Sequence, residues 1–492
     1  MESLTVIYIG IIIYLTGMLG VGIYASKKIS GTEDFLVAGR RLPLWLCTAA
    51  LTATFFGGGT IMGAGGAAYQ KGFLGVIADP FGAALCLFLA GLLFIRIMRR
   101  MRLTTIVDFF EIRFGKTSGF IASIIMLSVY IGWTGSLLVS LGFILHTITG
   151  ISTNTAIVIG TIIVFIYTMA GGMWAVSLTD FFQIIIVMIG LAVILPIVIS
   201  KVGGFSTLVS SLPEDSFRMT PKESGTIEWL NYIRAWMVIG LGNLAGQDLL
   251  QRSLSAKSEK VAQNSAYLSS VIYLVFGIVA VLIGMTGSLL IPGLENPELV
   301  IPKLAINYLP PVLASFFISA LLAAVMSSAD SSILACSSVL GKNLLPWIRK
   351  SDSDQSVLKW TRLSVPIFAV LSMMVALFVG EVYTLLLDSF SILLVGLFVP
   401  LAAGIWWPKA NTTAALSAMV LGTVSWIAFK FITPGIPSDM IGLGIGIGAM
   451  VLVTLMTQGK ETANPIKDVD GNILPYADRL GTLSFFTGKN KI

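Results

Sequence analysis

Histidine is almost absent from this chain: His146 stands alone among 492 residues. One imidazole leaves no nitrogen-rich metal cluster and no nucleophile-and-base pair on which an enzyme is built. Cysteine is nearly as scarce. Cys47, Cys86 and Cys336 each sit in an apolar segment without CxxC spacing, so they read as core packing and say nothing of a redox compartment. Charge is scarce too, at 11% of residues against roughly 25% in an ordinary soluble protein. The alternation of apolar and polar residues over about 10 positions that marks a membrane β-barrel is missing. The first apolar run, 4–25, lacks a basic n-region and a small-residue cleavage site, so it is expected to be retained.

What the chain does have is apolar length. Hydrophobic residues make up 56% of it, in repeated runs of about 20 residues, each long enough as helix to cross about 30 Å of hydrocarbon. The fold class is therefore an all-α polytopic membrane protein with about thirteen transmembrane helices. In a soluble chain the formal charge of +6 would suggest nucleic acid. Here Lys and Arg collect in alternate loops: Lys27, Lys28, Arg40 and Arg41, then Arg99, Arg100 and Arg102, then Lys257 and Lys260, then Lys342, Arg349, Lys350, Lys359 and Arg362. That is an orientation signal for a plasma or inner membrane, with the N-terminus outside and the C-terminus in the cytoplasm. No nucleic-acid partner and no obligate protein partner is expected; the partners are the lipid bilayer and a small solute. An amphipathic piece at 105–114 is expected to lie along the inner surface.

Two runs are interrupted by glycine. The second run, 44–68, carries Gly57-Gly58-Gly59 and then Gly63, Gly65 and Gly66; the seventh, 229–250, carries Gly240, Gly242 and Gly246 beside Asn243, Gln247 and Asp248. Glycine costs a helix about 1 kcal/mol per residue, and unwound backbone at membrane depth survives only where it is buried in protein or lines a cavity. The second run enters from the cytoplasm and the seventh from outside, and five runs start at each. Interrupted segments at matching places in two halves of opposite orientation point to an inverted-repeat secondary transporter with its site at the midplane. The division that follows is 1–43 (first span and basic loop), 44–200 (first five-helix repeat), 201–228 (extracellular loop), 229–408 (second, inverted repeat), 409–458 (two peripheral spans) and 459–492 (cytoplasmic tail). Within the first repeat, Asp79-Pro80 is placed near the outer end of the third run, and separate spans at 156–173 and 180–199 are expected.

The most informative polar residues lie at 323–332, Ala-Ala-Val-Met-Ser-Ser-Ala-Asp-Ser-Ser, inside an apolar run from 311 to 345. An aspartate at a helix centre in the membrane costs roughly 2.5 to 3.5 kcal/mol, so Asp330 is not expected to be idle. Ala324, Ser327, Ser328 and Ser331 fall at i, i+3, i+4 and i+7, on one helix face. Hydroxyl and carboxylate oxygens there suit a small hard cation such as Na⁺ and not zinc or copper. A small-residue packing face also explains the serines, but not the acid.

These residues resemble those of the sodium/solute symporter family. The likeness covers 26–408 and rests on Gly-Thr-Glu-Asp-Phe-Leu-Val-Ala-Gly-Arg-Arg (31–41), Tyr-Thr-Met-Ala-Gly-Gly-Met-Trp-Ala-Val-Ser-Leu-Thr-Asp (167–180), Gln-Arg-Ser-Leu-Ser-Ala-Lys (251–257) and the serine stretch. Its glycine run and serine stretch are most similar to the high-affinity choline transporter branch; proline, pantothenate and sialic acid carriers are similar at the family level. The resemblance implies the leucine-transporter fold and a principal sodium site made by the carbonyls of Ala53, Phe56 and Ala324 and the hydroxyls of Ser327 and Ser328. It also implies a possible second cation site at Asp180, Ser327, Asp330 and Ser331, with Asp330 replacing the serine of sialic acid carriers. Asp180 could equally cap the sixth run.

For the solute, the resemblance places Phe55 and Trp133 where two rings of a quaternary-ammonium cage stand, and Gly246 where a third is expected. Gly59, Gln247 and Asp248 complete the candidate substrate set. Asp248 either pairs with an amine or forms an i, i+4 salt bridge with Arg252. The expected function is a sodium-coupled secondary active symporter, with Na⁺ as coupling ion, that imports a small organic solute by alternating access. A cationic or zwitterionic amine such as choline, betaine or proline is favoured. The alternatives are a proton-coupled carrier of the same fold and a transporter-like membrane sensor, for which the tail after Gly459 is short.

Overall fold

A computed structural model of the chain describes residues 2–26, 31–222, 225–348, 354–432, 435–461 and 464–481. The elements that position the site are, in chain order, α1 (Glu2–Ser26), α2 (Leu44–Phe55), α3 (Gly65–Lys71), α4 (Ile106–Phe114), α5 (Lys116–Thr149), α6 (Thr153–Val202), α7 (Thr226–Gly240), α8 (Gln247–Ser255), α9 (Glu259–Leu290), α10 (Pro311–Val339) and α11 (Val382–Leu393). Among the described residues there is no strand beyond isolated bridges. Nine helices among them are long and apolar enough to cross a membrane, and Leu44–Phe55 and Thr153–Ile166 are shorter apolar helices. Lys27, Lys28, Arg349 and Lys350, cited above as inside markers, lie outside the described residues.

Both expected breaks are present. Helix α2 stops where Phe56 leaves helical geometry at φ −84°, ψ 67°, and the chain resumes helical form at Gly59. Helix α7 stops at Leu241; a short turn through Gly242–Ala245 and an extended Gly246 (φ −68°, ψ 131°) lead into α8. The two broken segments run in opposite directions. The Leu42 amide reaches the Ser255 carbonyl at 3.0 Å, while eight residues further along the first segment and three residues back along the other, Arg252 Nε reaches the Ala50 carbonyl at 3.0 Å. Inverted orientation thus follows from the contacts themselves.

Three expectations need correction. Helix α6 is helical over 50 residues through both expected spans. Its contacts nevertheless show that it is folded back. Ile157 lies against Gly142 and Gly160 against Leu141, so the first stretch runs antiparallel to α5. Asp180 meets Ser327 and Gly190 meets Phe317, so the second runs antiparallel to α10. Because α5 and α10 are themselves antiparallel, with Thr134 at Ser332 and Ser140 near Val325 across Gly58, the two stretches point opposite ways. The side chains of 167–172 and 175, part of one quoted motif, lie outside the described residues.

Helix α4, expected on the inner surface, is wedged in the protein and not lying free of it. Ile106, Val107, Phe109, Phe110 and Phe114 are buried, and Thr105 and Asp108 close its N-terminus with a reciprocal capping box. Its nine residues carry apolar groups around most of the circumference, which a surface helix does not. Asp79, placed near an outer end, is buried against Thr60 and Tyr273. Past the last span, 464–481 folds back on the basic helix ends: Val469 N bonds the Arg100 carbonyl at 3.2 Å and Arg96 Nη1 the Leu480 carbonyl at 2.8 Å.

Candidate functional site

Where α2 ends, its last carbonyls lose their helical partners. Ser328 of α10 meets them: its hydroxyl donates to the Thr54 carbonyl at 3.0 Å and the Ala53 carbonyl at 3.2 Å. This approach depends on glycine. A β-carbon on Gly57 would lie 2.4 Å from Ser328 Oγ and 2.9 Å from its Cβ; one on Gly58 would lie 2.1 Å from Ser140 Oγ and 2.5 Å from its Cβ. Ala53, Phe56 and Ala324 are buried. Ser327, one position before Ser328, donates instead to the Asp180 carboxylate. Its oxygen keeps lone pairs while its proton is held there. Main-chain and hydroxyl oxygens, with no nitrogen or sulfur ligand, suit an alkali cation.

Two residues of the expected second site, Asp180 and Ser331, meet a protein cation. Arg252 is fully buried. Its Nη2 lies 3.3 Å from Asp180 Oδ2 and also donates to Ser331 Oγ, and its Nε holds the Ala50 carbonyl. Asp180 lies within α6, not at a helix start, which removes the capping alternative. Asp330 is buried in α10. The i, i+4 bridge between Asp248 and Arg252 does not form, because the guanidinium is committed across the interface to Asp180.

A narrow cavity lies beside the first break. Ser328 and Thr54 line it, and so do four of the five expected substrate residues: Phe55, Gly59, Trp133 and Asp248. Gln247 is elsewhere. Its Oε1 accepts the Ile106 amide at 2.7 Å and its Nε2 faces the Thr104 carbonyl, so it ties α8 to α4. The rings stand close together: Trp133 is 5.9 Å from Phe390 and Phe55 is 6.0 Å from Tyr273 between centroids. Asp248 takes a hydrogen bond from Tyr130 on Oδ1, whereas Oδ2, also buried, has no hydrogen-bond partner among the described residues. Tyr273, Phe390, Asn243 and Asp79 join the lining, none of them having been assigned to the solute from the sequence. For Asp79 the signal was available, since it too is an acid in an apolar run.

Antiparallel broken helices packed around an enclosed cavity, with an oxygen-lined contact in the cavity wall, define a secondary transporter. The sodium:solute symporter family profile matches residues 35–422. The chain belongs to the sodium:solute symporter family. It is 31% identical over 439 residues to the human high affinity choline transporter 1, covering 84% of this chain and 75% of that one. It is 28% identical over 454 residues to the sodium/pantothenate symporter of Escherichia coli K12, covering 88% and 94%. Among solved structures, a Na⁺-coupled sialic acid symporter aligns with a TM-score of 0.78 at 22% identity, covering 93% and 98%. Mhp1, a nucleobase-cation-symport-1 family transporter, aligns at 0.57 and 16%, covering 86% and 95%. At these identities the structural likeness speaks for the leucine-transporter fold alone. Relatives and neighbours are transporters, not enzymes, and the family makes Na⁺ the coupling ion.

Proposed function

We propose that the chain imports a small organic cation together with Na⁺ by alternating access, the ion held by the carbonyls of Ala53, Phe56 and Ala324 and the hydroxyls of Ser327 and Ser328. One observation carries this reading: Ser328 touches the freed carbonyls of α2 and lines the cavity as well. An ion at that contact would fix α2 against α10 and so shape the wall the solute meets. Ser328 has only to turn its proton away from Ala53 for both oxygens to face the ion. Coupling needs the ion to prefer the solute-competent state by a few kcal/mol, and an inward membrane potential adds about 2.3 kcal/mol per charge per 100 mV.

The cationic class rests on the lining. Ring faces attract an ammonium group by up to about 2 kcal/mol when it is desolvated, and the unpartnered Asp248 oxygen supplies charge where Gly246 leaves the cage without a third ring. A single coupling cation is proposed, since Arg252 already gives Asp180 a positive partner. The N-terminus is assigned outside and the C-terminus to the cytoplasm on the distribution of basic residues. The test is uptake by proteoliposomes under an imposed Na⁺ gradient, with choline, betaine, proline and simple sugars compared. Sodium-driven accumulation of an amine is expected. Uptake driven by a pH gradient without Na⁺ would replace this reading with a proton-coupled carrier, and binding without accumulation would replace it with a sensor.

A further inference from the structure

The cavity holds two buried carboxylates. Asp79 is 3% exposed and its oxygens accept from Thr60 Oγ1 at 2.8 Å and Tyr273 OH at 2.6 Å. Asp248 is fully buried, held by Tyr130 on one oxygen and free on the other. They share no hydrogen-bonding side chain, and they enter from different elements, Asp79 from the segment Ile77–Gly82 and Asp248 from the first turn of α8. Among the described residues neither has a cationic partner within 4.0 Å; Arg252, one helical turn beyond Asp248, pairs with Asp180 instead. Asn243, also in the lining, contributes a buried carbonyl oxygen without a donor. The lining is thus rich in acceptors and poor in donors, and buried charges persist only when paired.

We propose that the transported solute carries two positive charges, an aliphatic diamine with one ammonium at Asp248, the other at Asp79, and its apolar stem against the rings of Phe55, Trp133 and Phe390. This rests on the reading of the chain as a sodium-coupled carrier of organic cations. An ammonium group brings three donors and a positive charge, which match the free oxygen of Asp248 and the absent counter-charge at Asp79. Zwitterions such as betaine and proline would set their own carboxylate against one of these acids, so they are disfavoured.

The test uses the full chain in proteoliposomes under an inward Na⁺ gradient, with labelled 1,4-diaminobutane as probe and unlabelled diaminobutane, butylamine and choline as competitors. Diaminobutane is expected to accumulate, and to compete at concentrations at least about tenfold below those of butylamine or choline. Asp79→Asn should erase that difference by weakening diaminobutane competition at least about tenfold more than butylamine competition. Should the variant not fold, the wild-type ranking of diamines of three to six carbons against monoamines of equal length decides the matter. If butylamine or choline competes as well as the diamine, Asp79 is a structural group and the second charge is refuted, while the amine carrier stands. If no amine is driven by Na⁺, the carrier reading falls with it.

Discussion

Replacing Gly58 by alanine tests the close approach on which the ion site depends. The new β-carbon would stand 2.5 Å from Ser140 Cβ and 3.4 Å from Val325 Cγ2. Carbon atoms pack at about 3.5 to 4.0 Å, so the backbones must separate by about 1 Å, and rotating the Ser140 hydroxyl brings no relief because the clash is with Cβ. Overpacking of this kind costs about 1 to 3 kcal/mol, and the separation falls at the contact where Ser328 reaches the Thr54 carbonyl at 3.0 Å. With the strain borne mainly by the ion-bound arrangement, the sodium concentration for half-maximal uptake rises by about 5- to 150-fold, at 1.4 kcal/mol per decade. The assay is initial uptake in proteoliposomes against external Na⁺. Adding Ser140→Gly, which removes the obstructing carbon without touching a proposed ligand, should restore most of the loss. Unaltered sodium activation in a well-folded Gly58→Ala protein, or failure of Ser140→Gly to rescue it, would refute the argument.

Three further outcomes are expected. Ser327→Ala should raise the half-activating sodium concentration at least about tenfold, whereas Ser332→Ala, whose hydroxyl faces Thr134, should leave it within a small factor; equal effects on a sodium titration would remove Ser327 as a ligand. Arg252→Gln leaves Asp180 buried without its cation and should cost about 3 to 5 kcal/mol, read as a lower melting temperature in detergent, with Asp180→Asn in the same protein recovering part of it. Burial pushes the Asp108 carboxyl up, but the Lys342 ammonium at 2.6 Å and donors from Thr105 and Asn343 outweigh it and hold it below the usual carboxylate range. A depressed folded value means that its stabilisation is complete above the unfolded pKa of about 4 and is lost as pH falls through the lower folded value. Acid melting curves should therefore converge for wild type and Asp108→Asn below about pH 4 and separate above it; curves parallel throughout would show that Asp108 contributes nothing.

Much of this was readable in one dimension. Apolar length gave the helices, the glycines at 57–59 and 240–246 located the two breaks, and i, i+3, i+4 spacing put Ser327, Ser328 and Ser331 on one face. Each depends on residues a few positions apart, where backbone geometry is nearly fixed. The opposed breaks carried the inverted relation of the two broken segments in the same way. The folded-back stretch of α6 falls between the two spans expected at 156–173 and 180–199. The burial of α4 escaped because its apolar circumference needed a neighbouring wall to be recognised as such.

Partner choice was decided only in three dimensions. Asp248 and Arg252 sit one helical turn apart, yet the guanidinium pairs with Asp180, 72 residues away, because α8 lies along α2 and presents that edge of itself to α6 and α10. Gln247 was drawn off to α4, and Asp79 was brought to the cavity by Thr60 and Tyr273 from two other helices. Periodicity fixes which side of a helix a residue occupies. Which of several helices faces that side depends on how all of them pack, and for a buried charge the winning contact is the one that removes the most unsatisfied groups from hydrocarbon.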